Sequence, residues 1–446
     1  MAAHVIDSLF FKDLYGSEAM RAVFDDHNLL QKWLDYEAAL ARAEASLNLV
    51  PAEAAAEITR KARAEFMDKD AIKRGMDKTV HPLVSLIWQL SEKCDGDAGG
   101  YVHWGATTQD VMDTAIVLQI KEAFPLFESA LEGLIDAAVH LARTHRNTVM
   151  AGRTHGQQAL PITFGFKVAV WVAELKRHRT RLYENKPRVL TGEFAGAAGT
   201  LASVSEHGIE INERLMHELG LNIPEIAWHT SRDNFAEFAT ILSMICATLG
   251  KIAHEIIDLQ KSEFGEVEEP FEMGKVGSST MPQKRNPMIC ESILALARLT
   301  RTHATTAIDA MMHEHERDWS SFQMEWAYIP EICTMTHGAL QLTQRVLTGL
   351  IVYPENMKRN LDMTRGTLLA ERVMLTLGQS IGRQHSHDII YEAAMESFEK
   401  RVAFADVLKQ NPMVTKHIEA EKIDALLDPT QYIGLSGIFV DKVAGQ

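Results

Sequence analysis

Cysteine is scarce: four in 446 residues, at Cys94, Cys246, Cys290 and Cys333. None forms a C-x-x-C pair, so neither a zinc site nor a disulfide framework is expected, and a reducing compartment is the default. Positive charge is also short. Against 60 Asp and Glu stand 45 Lys and Arg, a formal net charge of −15. A nucleic-acid surface would need a basic stripe, so no nucleic-acid partner is expected. A small anionic substrate is not excluded, because a few local cations can outvote a distant acidic surface. No apolar run reaches the ~18 residues of a membrane span. The opening stretch MAAHVIDSLFFKDLYGS has no basic segment ahead of an apolar core, so no secretory signal is expected. These shortages point to a soluble, cytoplasmic protein without a membrane partner.

Proline is thin too, with 13 in the chain, and its placement frames long helical text. Between Pro224 and Pro270, apolar residues fall at Phe235, Phe238, Ile241, Leu242, Ile245, Leu249, Ile252, Ile256 and Leu259. That is the three-and-four spacing of a helix. Similar patterns run before Pro161, before Pro187 and after Pro287. Helices of about 30 residues exceed the globular mean of about 11–12 and would span the body of a large bundle. The one Asp-Gly pair, Asp95-Gly96, is not flanked by alternating strand patterns and does not read as a hairpin. The expected fold is all-α: an N-terminal helical domain over 1–110, a central bundle of long helices over 111–355, and a smaller C-terminal helical domain over 356–446.

Three polar stretches interrupt this text: YVHWGATTQDVMDT (101–114), AGRTHGQQALPITFG (151–165) and GKVGSSTMPQKRNP (274–287). Each combines glycine with hydroxyl or amide side chains and a histidine or cation. Such stretches fall where helices begin or end, and there free backbone N–H groups and the helix dipole favour anions. Any one of Thr107, Thr108, Ser278, Ser279 and Thr280 could be an N-cap and nothing more. Three clusters that also hold His103, His155, Lys284, Arg285 and Asn286 suggest a polycarboxylate site. MMHEHERDW, with His313, His315 and Glu316, is not H-E-x-x-H, because Arg317 stands where the second histidine would be. No metal is expected there.

The third stretch resembles the signature of the fumarase/aspartase superfamily, close to G-S-S-x-M-P-x-K-x-N-P. Gly277, Ser278, Ser279, Met281, Pro282, Lys284, Asn286 and Pro287 match every fixed position. The other two stretches look like the family's remaining signature regions, in the same order. The whole chain resembles the branch holding adenylosuccinate lyase and 3-carboxy-cis,cis-muconate cycloisomerase. The resemblance implies a central bundle of long helices, a homotetramer with active sites each built from three subunits, a small dicarboxylate or polycarboxylate substrate, and no cofactor.

It also implies a chemistry. Such enzymes remove a proton from the carbon next to a carboxylate and expel a group from the neighbouring carbon. The carbanion is tolerable only if its charge spreads into the carboxylate, and Lys284, Asn286 and helix N-terminal N–H groups would receive that charge. By carry-over, Ser278 is the base, with Ser279 beside it. His155 is the acid near the leaving group, paired with Glu291, seven residues beyond the signature lysine. A carboxylate on the imidazole would fix its tautomer and raise its pKa. Thr107, Thr108, Gln109 and Thr154 match segments that grip a substrate carboxylate. Arg317 matches an H-E-R-D stretch and is a further carboxylate partner. His103 and Arg232 join the binding set. His81 sits where adenylosuccinate lyases carry a histidine in T-R-H-D, although Val80 and Pro82 depart from that pattern.

Within the family the features divide. Adenylosuccinate lyases bind a nucleotide phosphate partly through an N-terminal Arg-Tyr pair, and this chain has no arginine before Arg21. WHTSRDN (228–234) and MEW (324–326) look like the cycloisomerases, yet bacterial cycloisomerases place tryptophan where this chain has His155. The leading expectation is a C–N (possibly C–O) lyase that eliminates fumarate from a non-nucleotide succinyl substrate of the N-substituted aspartate type. A 3-carboxy-cis,cis-muconate cycloisomerase comes second and adenylosuccinate lyase third. A non-catalytic structural relative would have no need of Ser278, Lys284, Asn286, His155 and Glu291.

Overall fold

The computed structural model describes residues 4–204, 206–271, 280–281 and 283–445. Among the described residues, seven helices run 18 residues or longer: α1 (Asp26–Ala45), α2 (Thr108–Thr144), α3 (Phe164–Val189), α4 (Asp233–Gln260), α5 (Met288–Asp309), α6 (Trp319–Thr348) and α7 (Arg383–Lys400). The all-α class is therefore the observed one. In α4 the nine apolar positions named above are all buried, which is why its sequence tracks the helical period. This helix is long and apolar enough to cross a membrane, but most of its apolar window is buried inside the protein. It is a core helix.

The chain groups into two compact units, residues 1–131, 178–247 and 295–340 in the first, and 132–177, 248–294 and 341–446 in the second. In the first unit, α1 starts on Asp25, whose carboxylate accepts the Asn28 N–H at 2.7 Å. An aromatic core forms where Phe124 and Phe127 of α2 meet Phe238 of α4, with ring centroids 5.8 and 6.3 Å apart. In the second unit, residues 370–427 include a cluster of buried side chains with Val373, Leu377, Ile390, Phe404, Leu408 and Ile423 at its centre.

That second unit also holds an element the sequence reading did not foresee. Residues 149–163 form an antiparallel hairpin, β1 (Val149–Thr154) and β2 (Gln157–Thr163), with Thr154 opposite Gln157. The two residues between the strands, His155 and Gly156, have φ of 52° and 74°. Positive φ at both central positions matches the twist that a tight hairpin needs. Pro161 lies opposite Ala151 in the ladder. With only two strands both are edges, so the missing N–H is tolerated. A short second ladder pairs β3 (Val267–Glu268) with β4 (Ile351–Val352).

Proline proved a poor delimiter. Pro125, Pro187 and Pro330 lie inside α2, α3 and α6. An interior proline costs about 3 kcal/mol, and broad buried faces on these helices offset it.

Candidate active site

The first unit gathers the histidine and threonine stretch. Thr107 precedes α2, and its N–H donates to the Asp110 carboxylate at 2.9 Å, so the third helical residue reaches back to the cap. Thr108 Oγ1 lies 3.1 Å from His81 Nε2, while His81 Nδ1 accepts the Val84 N–H at 3.1 Å. An Nδ1 that accepts leaves the ring proton on Nε2, so neutral His81 donates to Thr108. The threonine hydroxyl is then free to donate its own proton to a ligand. Burial and the neighbouring His103 both lower the His81 pKa, which favours this neutral form.

His103 is in the opposite state. Its backbone has φ 61°, and its Nδ1 lies 2.7 Å from an oxygen of Glu37 on α1. Burial alone would lower its pKa, but the charge and hydrogen bond of Glu37 outweigh it and hold the imidazole above its ordinary range. Two neighbouring histidines are thus pushed apart, one toward the neutral form and one toward the cation.

Two expected substrate ligands turn out to be internal supports. Arg232 is 1% exposed. It clamps Asp113 through two bonds of 2.7 and 2.8 Å, bonds Glu325 through Nε at 2.7 Å and again through Nη2, and stacks between Trp228 and Phe235. Nothing of it is left open to a ligand. Gln109 is equally enclosed: its amide donates to Asp113 and to the His229 carbonyl, and its oxygen accepts from Arg317 Nε at 2.9 Å. Gln109 therefore orients Arg317 rather than binding substrate. Arg317 is exposed, so its terminal nitrogens remain candidates for a carboxylate.

Beneath them lies a buried junction. Asp110 accepts N–H bonds from Thr107, Ala195 and Gly196 and from His229 Nε2 at 2.7 Å. Among the described residues, one trio could bring ligand atoms around a cation: Asp110, Glu193 and His229. Four donors already occupy the Asp110 oxygens. Burial, then Asp113 and Asp110, raise the Glu193 pKa well above the carboxylate range, so the trio reads as a hydrogen-bond junction. Glu325 is likewise raised, to about 7, chiefly by burial against the pull of Arg232.

The second unit holds the rest. Thr154 and His155 stand exposed at the hairpin tip. The strand behind them is anchored where Arg153 forms a bidentate pair with buried Glu266 at 2.7 and 2.9 Å and lies over the Phe264 ring. A cavity of about 860 Å³ is lined by Gln260, Lys284, Arg285, Asn286, Glu291 and Tyr353, among others. Arg285 is committed, bonded to Glu268 at 2.8 Å and stacked over Phe271, whereas Lys284 is exposed. Glu291 sits exposed in the first turn of α5. Ser278 and Ser279 lie outside the described residues.

Two features bear on these expectations. Of the helix N-terminal N–H groups, those of Ile289 and Cys290 on α5 already donate to the buried Glu269 carboxylate. The protein supplies its own anion at that helix end. Among the described residues, His155 and Glu291 also share no hydrogen bond or ion pair, because the histidine stands out on the hairpin tip. The residues that sequence reasoning missed are the supporting carboxylates: Glu37, Asp110, Asp113, Glu193, Glu269 and Glu325. One signal was present, since Glu37 falls among the apolar positions of α1 that face the core.

Comparison with known proteins adds the lineage. Residues 15–299 match the family described as Lyase, and residues 366–443 match the adenylosuccinate lyase C-terminus. The chain belongs to the fumarase/aspartase superfamily. It is 41% identical to an N-acetyl-S-(2-succino)cysteine lyase from Dickeya dadantii (strain 3937), over 99% of this chain and 97% of that one. The crystal structure of a fumarate lyase from Mesorhizobium sp. BNC1 superposes with a TM-score of 0.91 at 41% identity, covering 97% of this chain and 98% of the other. The 3-carboxy-cis,cis-muconate lactonizing enzyme of Pseudomonas putida gives 0.92 at 37% identity, covering 98% of each. Family membership makes this chain a lyase or cycloisomerase of that superfamily, of the kind that acts on small carboxylates.

Proposed function

We propose that this protein eliminates fumarate from a non-nucleotide succinyl adduct through an enediolate, with sulfur or nitrogen as the leaving atom. The observation that carries this reading is an exposed His155, whose side chain makes no hydrogen bond or ion pair among the described residues, together with Lys284, Asn286 and Glu291 around one cavity. Ser278 takes the proton beside the carboxylate, and Lys284 and Asn286 bear the charge of the dianion. His155 protonates the leaving atom, an aid worth roughly 10²–10⁴ in rate. His103, Arg317, Thr107, Thr108, Thr154 and Ser279 hold the carboxylates, with His81 orienting Thr108. The reading includes a homotetramer with three subunits contributing to each active site, in which His155 of one subunit meets Glu291 of another.

Sulfur enters on the strength of the relative named for a succinyl thioether, whereas the sequence pointed first to nitrogen. A thiol, with an ordinary pKa of about 8.5, is also the easier leaving group to expel. A nucleotide substrate is disfavoured by Arg21, whose guanidinium is occupied by Asp13 and by the carbonyls of Lys12 and Gly16.

The second reading is 3-carboxy-cis,cis-muconate cycloisomerase, favoured by the likeness to the P. putida enzyme. The cycloisomerase-like residues Trp228, His229, Arg232 and Glu325 weigh little in its favour, because all four are buried supports. They speak for a shared scaffold and are silent about the leaving group. Incubating the purified protein with fumarate and a panel of thiols and amines should give succinyl adducts visible by mass spectrometry. If none forms, and 3-carboxy-cis,cis-muconate is converted to lactone, the second reading replaces the first.

A further inference from the structure

The contact between α1 and the turn at 103–105 is a charged group fixed from behind. Glu37 is 1% exposed, and its only hydrogen bond among the described residues joins one oxygen to His103 Nδ1 at 2.7 Å. The other oxygen has no partner. A carboxylate this deep is costly unless a cation answers it, and His103 is the one group bonded to it. The ring nitrogen on the far edge, Nε2, has no protein partner among the described residues, and the His103 side chain keeps 20% of its surface exposed. The backbone at this histidine is left-handed, φ 61°, and Gly105 follows with φ 74°. A non-glycine residue holds that conformation when its surroundings over-determine it. A buried carboxylate gripping the ring does so here.

We propose that Glu37 is a positioning residue: it takes the Nδ1–H of His103 and thereby presents Nε2–H as a charged donor to one carboxylate of the substrate. The inference rests on the dicarboxylate reading above and goes beyond it by naming what keeps the donor oriented and charged. The groups facing His103 come from three elements. Glu37 on α1 and Asp110 on α2 favour the imidazolium, and His81, before the helix Val84–Lys93, is itself disfavoured as a cation by His103. Glu44, two turns along α1 from Glu37, is pushed up to about 8 by burial and by Glu37. It is therefore neutral around pH 7 and leaves Glu37 as the charge that His103 answers.

The arrangement has a sign. A cationic His103 binds a dicarboxylate, and a neutral one binds it less well, so affinity falls as pH rises through the His103 pKa. Removing the Glu37 charge moves that fall to lower pH. The test has two arms. In the first, the full-length protein carrying ¹³C at histidine Cε1 is titrated by NMR without substrate, and His103→Gln identifies the signal. Wild-type His103 should titrate above the ordinary value of about 6.5, and Glu37→Gln should lower it by about one unit or more, a tenfold change in proton occupancy. Glu37→Asp retains the charge and should keep most of the elevation. A wild-type His103 that titrates at or below the ordinary value overturns the proposal even if Glu37→Gln fails to fold, and so does a Glu37→Gln signal that does not move. In the second arm, the pH profile of kcat/KM with a succinyl thioether should lose its alkaline side earlier in Glu37→Gln. The change should lie mainly in KM, about tenfold on that side. A uniform loss at every pH, with the limb unmoved, would make Glu37 a merely structural residue. Because the first arm needs no substrate, it stands or falls apart from the lyase reading.

Discussion

Around Arg232 the charges are enclosed and answered, whereas His155 stands open on a hairpin tip and Lys284 and Glu291 stand open beside a cavity. In the first region a guanidinium, two carboxylates and two aromatic rings fill one another's valences. In the second, His155, Lys284 and Glu291 are exposed. Chemistry on a ligand needs groups whose hydrogen bonds are not already made, and an enclosed network has none to offer. The difference separates two kinds of family likeness. Residues such as Trp228 and Arg232 mark descent through a scaffold, while His155, in the role proposed for it, would bear on what leaves the substrate.

This comparison breaks if the exposed set is dispensable. Ser278→Ala should lower turnover by about 10⁴-fold, the upper end for a proton-transfer residue, with the circular dichroism spectrum and oligomer size unchanged, and surviving turnover would remove the assigned base. His155→Gln should cost roughly 10²–10⁴ in kcat with unchanged thermal stability. If the two residues serve a site built from several subunits, mixing the two inactive proteins under conditions of subunit exchange should restore part of the activity. The buried region should behave in the opposite sense. Arg232→Met leaves Asp113 and Glu325 without their cation and should destabilise the fold by about 3–5 kcal/mol, read from denaturant unfolding. An Arg232→Met protein of wild-type stability and impaired substrate binding would return Arg232 to the ligand set.

Much of this was legible beforehand for physical reasons. The period of α4 could be read because all nine apolar positions face the core. The family signature at 277–287 was legible because its fixed residue types match one by one. The hairpin at 149–163 was hidden: its tip, His155-Gly156, is not one of the dipeptides that announce a tight turn, and Pro161 in a strand argues against a strand. The polar stretch 383–387 begins α7 without announcing it, since a polar first turn on a largely exposed face gives no period to detect. The roles of Arg232 and Gln109 could not be read at all. Whether a polar side chain meets a ligand or a buried carboxylate depends on partners some hundred residues away, such as Glu325 for Arg232.

The last expected effect concerns a carboxyl that is enclosed without being answered. Glu44 is fully buried, and both its oxygens lack hydrogen-bond partners among the described residues. Burial and then Glu37 push its carboxyl up to about 8, against about 4.3 in an unfolded chain. Between those values the folded protein holds a proton that the unfolded chain has released. The contribution to stability is therefore largest at low pH and is lost as pH rises toward about 8, by up to about 1.4 kcal/mol per unit. Glutamine keeps the shape and cannot ionise. Glu44→Gln should match the wild type near pH 4 and exceed it increasingly toward pH 8, measured by denaturant unfolding across that window. The Arg232 network should show no such gain on neutralising Asp113, because there the carboxylate is held bidentately by the guanidinium. If Glu44→Gln instead weakens the fold at every pH, Glu44 has a partner that answers it, and the contrast between answered and unanswered charge within the first unit fails.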